Sequence, residues 1–157
     1  MLKRMMAALW RRAPKWVRRG GVLLGESRFT VTAAAIVTDA QGRVLLLQHR
    51  FRPGSGWGVP GGFILPREQP EDAIRRELRE EIGLEIAALR LVHIRTLQKY
   101  RQVEIFFHCH PIGEVSPNDF EIRRAEWFAP DALPEGLSGD QRELIACALD
   151  GRLTTDH

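Results

Sequence analysis

Residues 62–84 read GFILPREQPEDAIRRELREEIGL, and this stretch decides the fold. Pro70 suits the first turn of a helix, the following residues are good helix formers, and Gly83 suits a left-handed C-terminal cap. The pattern predicts a helix over 70–82. At ~100° per residue, Ile74, Leu78 and Ile82 form an apolar stripe, and Glu77, Glu80 and Glu81 fall in an adjoining sector of about 100°. The acids therefore flank the buried face.

Carboxylates this close repel one another by a few tenths of a kcal/mol per pair unless a cation intervenes. Arg76 reaches Asp72 and Glu80 but cannot neutralise every acid. Mg²⁺ prefers hard oxygen ligands and uses a few carboxylates together with water and substrate phosphates. Taken alone, the segment also reads as an ordinary solvated helix laced with Glu/Arg pairs.

The spacing around the helix separates the two readings. Gly62 is followed by five residues, Glu68, seven residues, and then Arg76-Glu77-Leu78-Arg79-Glu80-Glu81-Ile82-Gly83-Leu84. Seven specified residues at fixed spacing, each near ~6% usage, arise by chance at a given start on the order of once in 10⁹. The pattern resembles the signature box of the Nudix hydrolase superfamily. Upstream, Trp57-Gly58-Val59-Pro60-Gly61-Gly62 resembles the approach to that box, and Glu121 to Phe128 resembles the family's late acidic loop and final strand. Leu65 and Arg67 depart from the pattern, since many members carry Glu and Gly there. The loop before Glu68 is therefore expected to be less acidic and differently bent.

The resemblance implies hydrolysis of a phosphoanhydride in a nucleoside diphosphate linked to another moiety, whether nucleotide sugar, dinucleoside polyphosphate or nucleoside triphosphate. Such chemistry needs positioning and charge neutralisation, which a divalent metal supplies. By resemblance Glu77, Glu80 and Glu81 are metal ligands for Mg²⁺, or for Mn²⁺ in its place, with the Gly61 carbonyl an additional one. Glu68 orients the cluster or holds a second metal, and Arg76 fixes the rotamers of nearby acids. The general base varies in the family; Glu121 ranks first here and Glu81 second. Arg50 and Arg52, with His49 just before the glycine-rich stretch, are candidates for substrate phosphates. Tyr100, sixteen residues beyond Leu84, resembles a tyrosine of the diadenosine polyphosphate branch and is a candidate base contact, with packing as the alternative.

Outward from the box, Phe29 to Thr38 and Arg43 to His49 are rich in β-branched and apolar residues and flank Asp39-Ala40-Gln41-Gly42, which predicts a hairpin of two buried strands. Phe51 to Gly62 reads as a loop ending in a tight backbone passage. Ile86 to Gln98, Val103 to Ile112 and Arg124 to Phe128 read as strands. Ser138 with Gln141 makes a capping box ahead of a final helix that runs to Gly151. Strands on both sides of a central helix, with a second helix at the end, predict an α/β (α+β) fold: an α/β/α sandwich around a mixed sheet. In His108-Cys109-His110, strand alternation sends both histidines to one face and the cysteine to the other, which disfavours a zinc site. Trp127 and Phe128 are expected in the core.

The 157 residues suit one domain, and no internal repeat is visible. We expect a basic helical extension over 1–28, a catalytic domain over 29–150 and a tail over 151–157. Two cysteines make no disulfide framework and point to a reducing cytoplasm. No apolar run reaches the ~18 residues that span a bilayer. The net charge is +3, yet Lys3, Arg4, Arg11, Arg12, Lys15, Arg18 and Arg19 bring +7 in the first twenty residues, so the remainder carries −4. Such a leader can touch RNA, an anionic surface, or an acidic patch on a second subunit of a homodimer. The plainer expectation is a short helix packed on its own domain through Leu9, Trp10 and Trp16. Two other functions fit the same pattern: pyrophosphate removal from RNA 5′ ends, and a catalytically silent Nudix fold acting as a ligand-binding regulator.

Overall fold

The computed structural model describes residues 28–151. Residues 1–27 of the basic extension expected over 1–28, and residues 152–157 of the tail expected over 151–157, lie outside them. Among the described residues, seven strands and two long helices follow in the order β1 (Thr30–Val37), β2 (Val44–His49), β3 (Trp57–Gly58), β4 (Gly61–Phe63), α1 (Pro70–Ile82), β5 (Glu85–Leu97), β6 (Gln102–Ile112), β7 (Ile122–Phe128) and α2 (Gly139–Leu149). A 3-10 turn, Gln98–Tyr100, joins β5 to β6.

Helix α1 starts and stops at the residues its sequence predicts. Pro70 opens it, and Gly83 closes it at φ 63°, donating its N–H to the Arg79 carbonyl at 3.0 Å. Ala73, Ile74, Leu78 and Ile82 are buried along one stripe.

The expected hairpin of β1 and β2 does not form as a ladder. Only an isolated bridge, Thr38 to Val44, joins them. β1 pairs parallel with β6 and antiparallel with β4, within a mixed sheet ordered β4-β1-β6-β5. β2 lies in a second, antiparallel sheet ordered β3-β2-β7. The predicted single mixed sheet is thus two sheets. Both strands bury residues on both faces, so each is better served by a full set of neighbours than by one hairpin partner.

Alternation along these strands builds two cores. Ala33, Ala35, Val37, Leu45 and Leu47 pack with the apolar stripe of α1. Ile36, Val44 and Leu46 pack with Leu144, Ile145 and Ala148 of α2. The layering is the expected α/β/α sandwich. Trp127 and Phe128 join the α1 and α2 cores respectively, as their composition suggests.

Ser138 caps α2, its hydroxyl accepting from the Gln141 N–H at 3.4 Å. The reciprocal half of the capping box is absent, because the Gln141 side chain accepts from the Val59 N–H at 3.0 Å. Strand alternation holds at 108–110: Cys109 is buried against the α1 core, its thiol pushed up to about 12 by burial. On the opposite face, Thr38 Oγ1 lies 2.8 Å from His108 Nε2 and 3.2 Å from His110 Nδ1.

Candidate active site

The acidic edge of α1 is organised by one guanidinium. Arg76 sends Nε to Glu68 Oε1 at 2.8 Å and Nη2 to Glu68 Oε2 at 3.0 Å. Its Nη1 reaches Glu77 Oε1 at 2.8 Å and Glu80 Oε2 at 3.1 Å, and Nη2 also donates to the Phe63 carbonyl at 3.0 Å. All five donors of the fork are used. These bonds, Glu68 first, raise the Arg76 pKa further above its ordinary value, and Arg76 holds the Glu68 carboxyl below the usual range.

The Gly61-Gly62 passage makes room for this edge. The Glu77 carboxylate occupies the space that a Cβ on residue 62 would fill, and a Cβ on residue 61 would meet the backbone of Ala33 and Ala34. β4 thereby lies close enough to α1 for the Gly61 N–H to bond the Glu81 carboxylate. Arg67, where the loop departs from the Nudix pattern, adopts φ 73°, the left-handed conformation a glycine takes without strain.

Glu81 turns inward. Burial, then the charge of Glu77, pushes its carboxyl up to about 8; Asp119 adds to the rise, while Arg52 and the Gly61 N–H oppose it. Its Oε2, like Nε2 of His49, is a buried side-chain atom without a hydrogen-bond partner among the described residues. Burial, with Arg52 second, holds the His49 imidazole down to about 4, so it is neutral at pH 7. The loop that carries Asp119 is tied to the end of α1: the Ser116 N–H donates to the Ile82 carbonyl at 2.8 Å and the Asn118 N–H to the Glu81 carbonyl at 3.0 Å. These bonds satisfy carbonyls that a helix end leaves open.

Two loops flank this cluster. The Arg50 N–H donates to the Glu121 carbonyl at 2.8 Å, Arg50 Nε donates to the Phe120 carbonyl at 3.1 Å, and the guanidinium lies 4.5 Å above the Phe120 ring. Arg50 is thus engaged by the opposite loop, and Glu121 is exposed, its N–H bonded to Asp119 Oδ1 at 2.6 Å. Arg52 instead lines a cavity of about 220 Å³ together with Gly61, Gly62, Phe63, Arg95 and Glu104. Arg95 binds Glu104 at 2.7 Å and Asp140 at 3.3 Å. Tyr100, 64% exposed on the 3-10 turn, does not line that cavity.

Glu77, Glu80, Glu81, Glu68, Arg76, Gly61 and Arg52 therefore form one neighbourhood, and Asp119, Glu104, Arg95 and Gln141 join it without a sequence signal that singled them out. Asp119 reads as part of a turn, and the Arg95–Glu104 pair follows from the β5–β6 register. The donor set suits a hard divalent cation: three carboxylates on one helical edge, one of them with an unpartnered buried oxygen. Among the described residues no three acidic, His or Cys side chains converge in ion-holding geometry. Arg76 itself draws Glu77 and Glu80, its Nη1 lying 2.8 Å from Glu77 Oε1 and 3.1 Å from Glu80 Oε2, so the guanidinium is the cation between them.

The family model for the NUDIX domain matches residues 28–147. An NAD-capped RNA hydrolase, NudC, of Pseudomonas aeruginosa is 32% identical over 108 residues, covering 68% of this chain and 38% of its own length. The chain thus spans about two fifths of that relative. A MutT-like protein of Streptomyces ambofaciens is 29% identical over 122 residues, 78% of each chain. Among solved structures, a MutT NUDIX hydrolase from Burkholderia pseudomallei superposes with a TM-score of 0.68 at 27% identity, covering 76% of this chain and 98% of that one.

Proposed function

The chain belongs to the Nudix hydrolase family, and from that premise we propose that it is a Mg²⁺-dependent pyrophosphohydrolase acting on a nucleoside diphosphate linked to another moiety. The observation that carries this reading is Glu81: a half-buried carboxylate whose buried Oε2 is unpartnered, beside Glu77 and under the charge of Arg52. A buried carboxylate oxygen without a partner costs stability, and a site that binds a cation and a phosphate removes that cost.

Glu77, Glu80 and Glu81 would hold Mg²⁺, or Mn²⁺ in its place. The bound ion would neutralise phosphate charge and make water more acidic. Arg52 draws the nonbridging oxygens of the substrate into the cavity it lines. Water attacks one phosphorus, the bridging P–O bond breaks, and the leaving phosphate takes the electron pair. The proton lost from water goes to a carboxylate. Glu81, half-buried beside the ion-holding edge, suits that acceptance through whichever oxygen does not face the ion, and better than Glu121, whose side chain stands in solvent. Glu68 and Arg76 hold the edge in register.

The test is a Mg²⁺-supported panel of dinucleotides, nucleotide sugars, nucleoside triphosphates and 5′-triphosphorylated RNA, with products identified by mass. Anhydride cleavage lost in Glu81→Gln supports the reading. No cleavage of any member with Mg²⁺ or Mn²⁺ overturns it in favour of the silent regulator.

The NAD-capped RNA hydrolases among the relatives favour a second reading, in which the substrate is a nucleotide-capped RNA end. Residues 1–20 would then supply a backbone grip. RNA turnover whose salt dependence survives deletion of those residues counts against that grip.

A further inference from the structure

Three arginines around the site are held by partners: Arg50 by the Phe120 carbonyl, Arg76 by Glu68, Glu77 and Glu80, and Arg95 by Glu104. Arg52 is held differently. Among the described residues it makes no hydrogen bond and no ion pair, although the charges of Glu81 and Glu104 act on it. Its place is therefore set by shape. The loop that carries it is fixed on either side. The Arg50 N–H binds the Glu121 carbonyl at 2.8 Å, the Ser55 hydroxyl donates to the Gly136 carbonyl at 2.8 Å, and the Gly56 carbonyl accepts from the His49 N–H at 2.9 Å.

From that loop the end of the Arg52 side chain comes to lie on Gly58. A Cβ added at residue 58 would overlap Arg52 Nη1 and stand 3.1 Å from its Cζ. Gly58 is buried, in β3. Unlike Gly54, Gly56 and Gly61, it does not have a positive φ, so backbone conformation gives no reason for a glycine there. Space gives one. Gln141 Oε1 would lie 3.3 Å from the same Cβ, and it accepts from the Val59 N–H at 3.0 Å. Gln141 is bonded in place and Arg52 is not, so a methyl group at residue 58 displaces the guanidinium.

We propose that Gly58 is a positioning residue: with Gln141 beside it, it forms the seat that holds the Arg52 guanidinium in the cavity, its donors free for the phosphates of the substrate. This deepens the pyrophosphohydrolase reading and rests on the phosphate-binding role given there to Arg52. A guanidinium paired to a carboxylate must leave that partner to bind phosphate. One that is held by nothing must be ordered on binding, which weakens affinity by about 2- to 10-fold for a rotamer-rich side chain. A seat made of packing alone avoids both.

Gly58→Ala in the full-length protein, with Mg²⁺ present, is the direct test. The urea midpoint should be unchanged or slightly higher, since alanine restricts the unfolded chain. Affinity for ADP, which carries the diphosphate that the candidate substrates share, should fall by about 10-fold in calorimetric titration. Arg52→Ala should lower it at least as far, and adding Gly58→Ala to Arg52→Ala should change nothing further, because the methyl group acts only through the guanidinium. Gly139→Ala is the control: Gly139 also lacks a positive φ, an added Cβ meets nothing within 4 Å, and ADP affinity should be unaltered. The arginine Nε–H resonance that disappears in Arg52→Lys should shift in Gly58→Ala and stay in place in Gly139→Ala. The proposal is overturned by an unshifted resonance or by undiminished affinity in Gly58→Ala. It is overturned equally if the unsubstituted protein takes up no ADP, or if Gly58→Ala weakens binding by the same factor with and without Arg52→Ala. Coupled loss of ADP affinity in a protein that turns over no member of the substrate panel sinks the hydrolase reading and leaves the seat standing.

Discussion

Arg76 and Glu68 meet fork to fork, Nε to Oε1 at 2.8 Å and Nη2 to Oε2 at 3.0 Å, across the loop that precedes α1. The same guanidinium binds Glu77 and Glu80, so the geometry of the loop is transmitted to the acidic edge through one planar group. Lysine, with a point charge and no fork, cannot make this arrangement.

Arg76→Lys is therefore expected to lower kcat/KM by about 10- to 100-fold and to cost about 1 kcal/mol of stability. The modest second figure follows because the Arg76 side chain is 22% exposed and solvent screens the pairs. Steady-state kinetics and a urea midpoint on the same preparation check both.

Gly62→Ala should displace Glu77, whose carboxylate occupies the Cβ position. We expect activity to fall by about 10²-fold while the far-UV circular dichroism is retained. Gly42, where an added Cβ meets nothing within 4 Å, is the control for space, and Gly42→Ala reports only the cost of its φ of 75°.

The pH dependence of stability isolates Glu81. Its folded pKa of about 8 lies above the ordinary value of 4.5, so the fold favours the protonated acid. The stability tied to that proton is intact below about 4.5 and is lost as pH rises through about 8. His49 has the opposite sense, its pKa lowered from 6.5 to about 4, so its contribution is present above 6.5 and lost as pH falls through 4. Only the Glu81 contribution changes above pH 6.5 among these two. Metal-free protein should thus lose on the order of 2 kcal/mol between pH 6.5 and 8.5, and Glu81→Gln should flatten that decline. Mg²⁺ should restore the loss in the unsubstituted protein, which a thermal-melt series with chelator and with Mg²⁺ reads directly.

Arg67 holds a left-handed φ of 73° in the loop before Glu68. Arg67→Gly should stabilise the protein by about 0.5–1 kcal/mol, since relief of side-chain strain exceeds the added freedom of the unfolded chain. The melting temperature should rise by about 2–4 °C. An unchanged or lower value would show that the Arg67 side chain compensates its own backbone.

Local chemistry was legible in the residues themselves. Pro70, Gly83, the Ile74–Leu78–Ile82 stripe and the glutamate edge define α1, and the glycine pair defines the close passage of β4, because each depends on neighbours within a few residues. Tertiary structure alone decided that β1 leaves β2 to run parallel to β6, and that Gln141 turns from its cap to the Val59 N–H. It also brought the charges of Arg52 and Asp119 to bear on Glu81, and Phe51 onto Phe120. These contacts join residues from 29 apart, Arg52 and Glu81, to 82 apart, Val59 and Gln141. No periodicity or cap signals them, because they arise when two sheets bury both faces between α1 and α2 and the loops at their edge are drawn together.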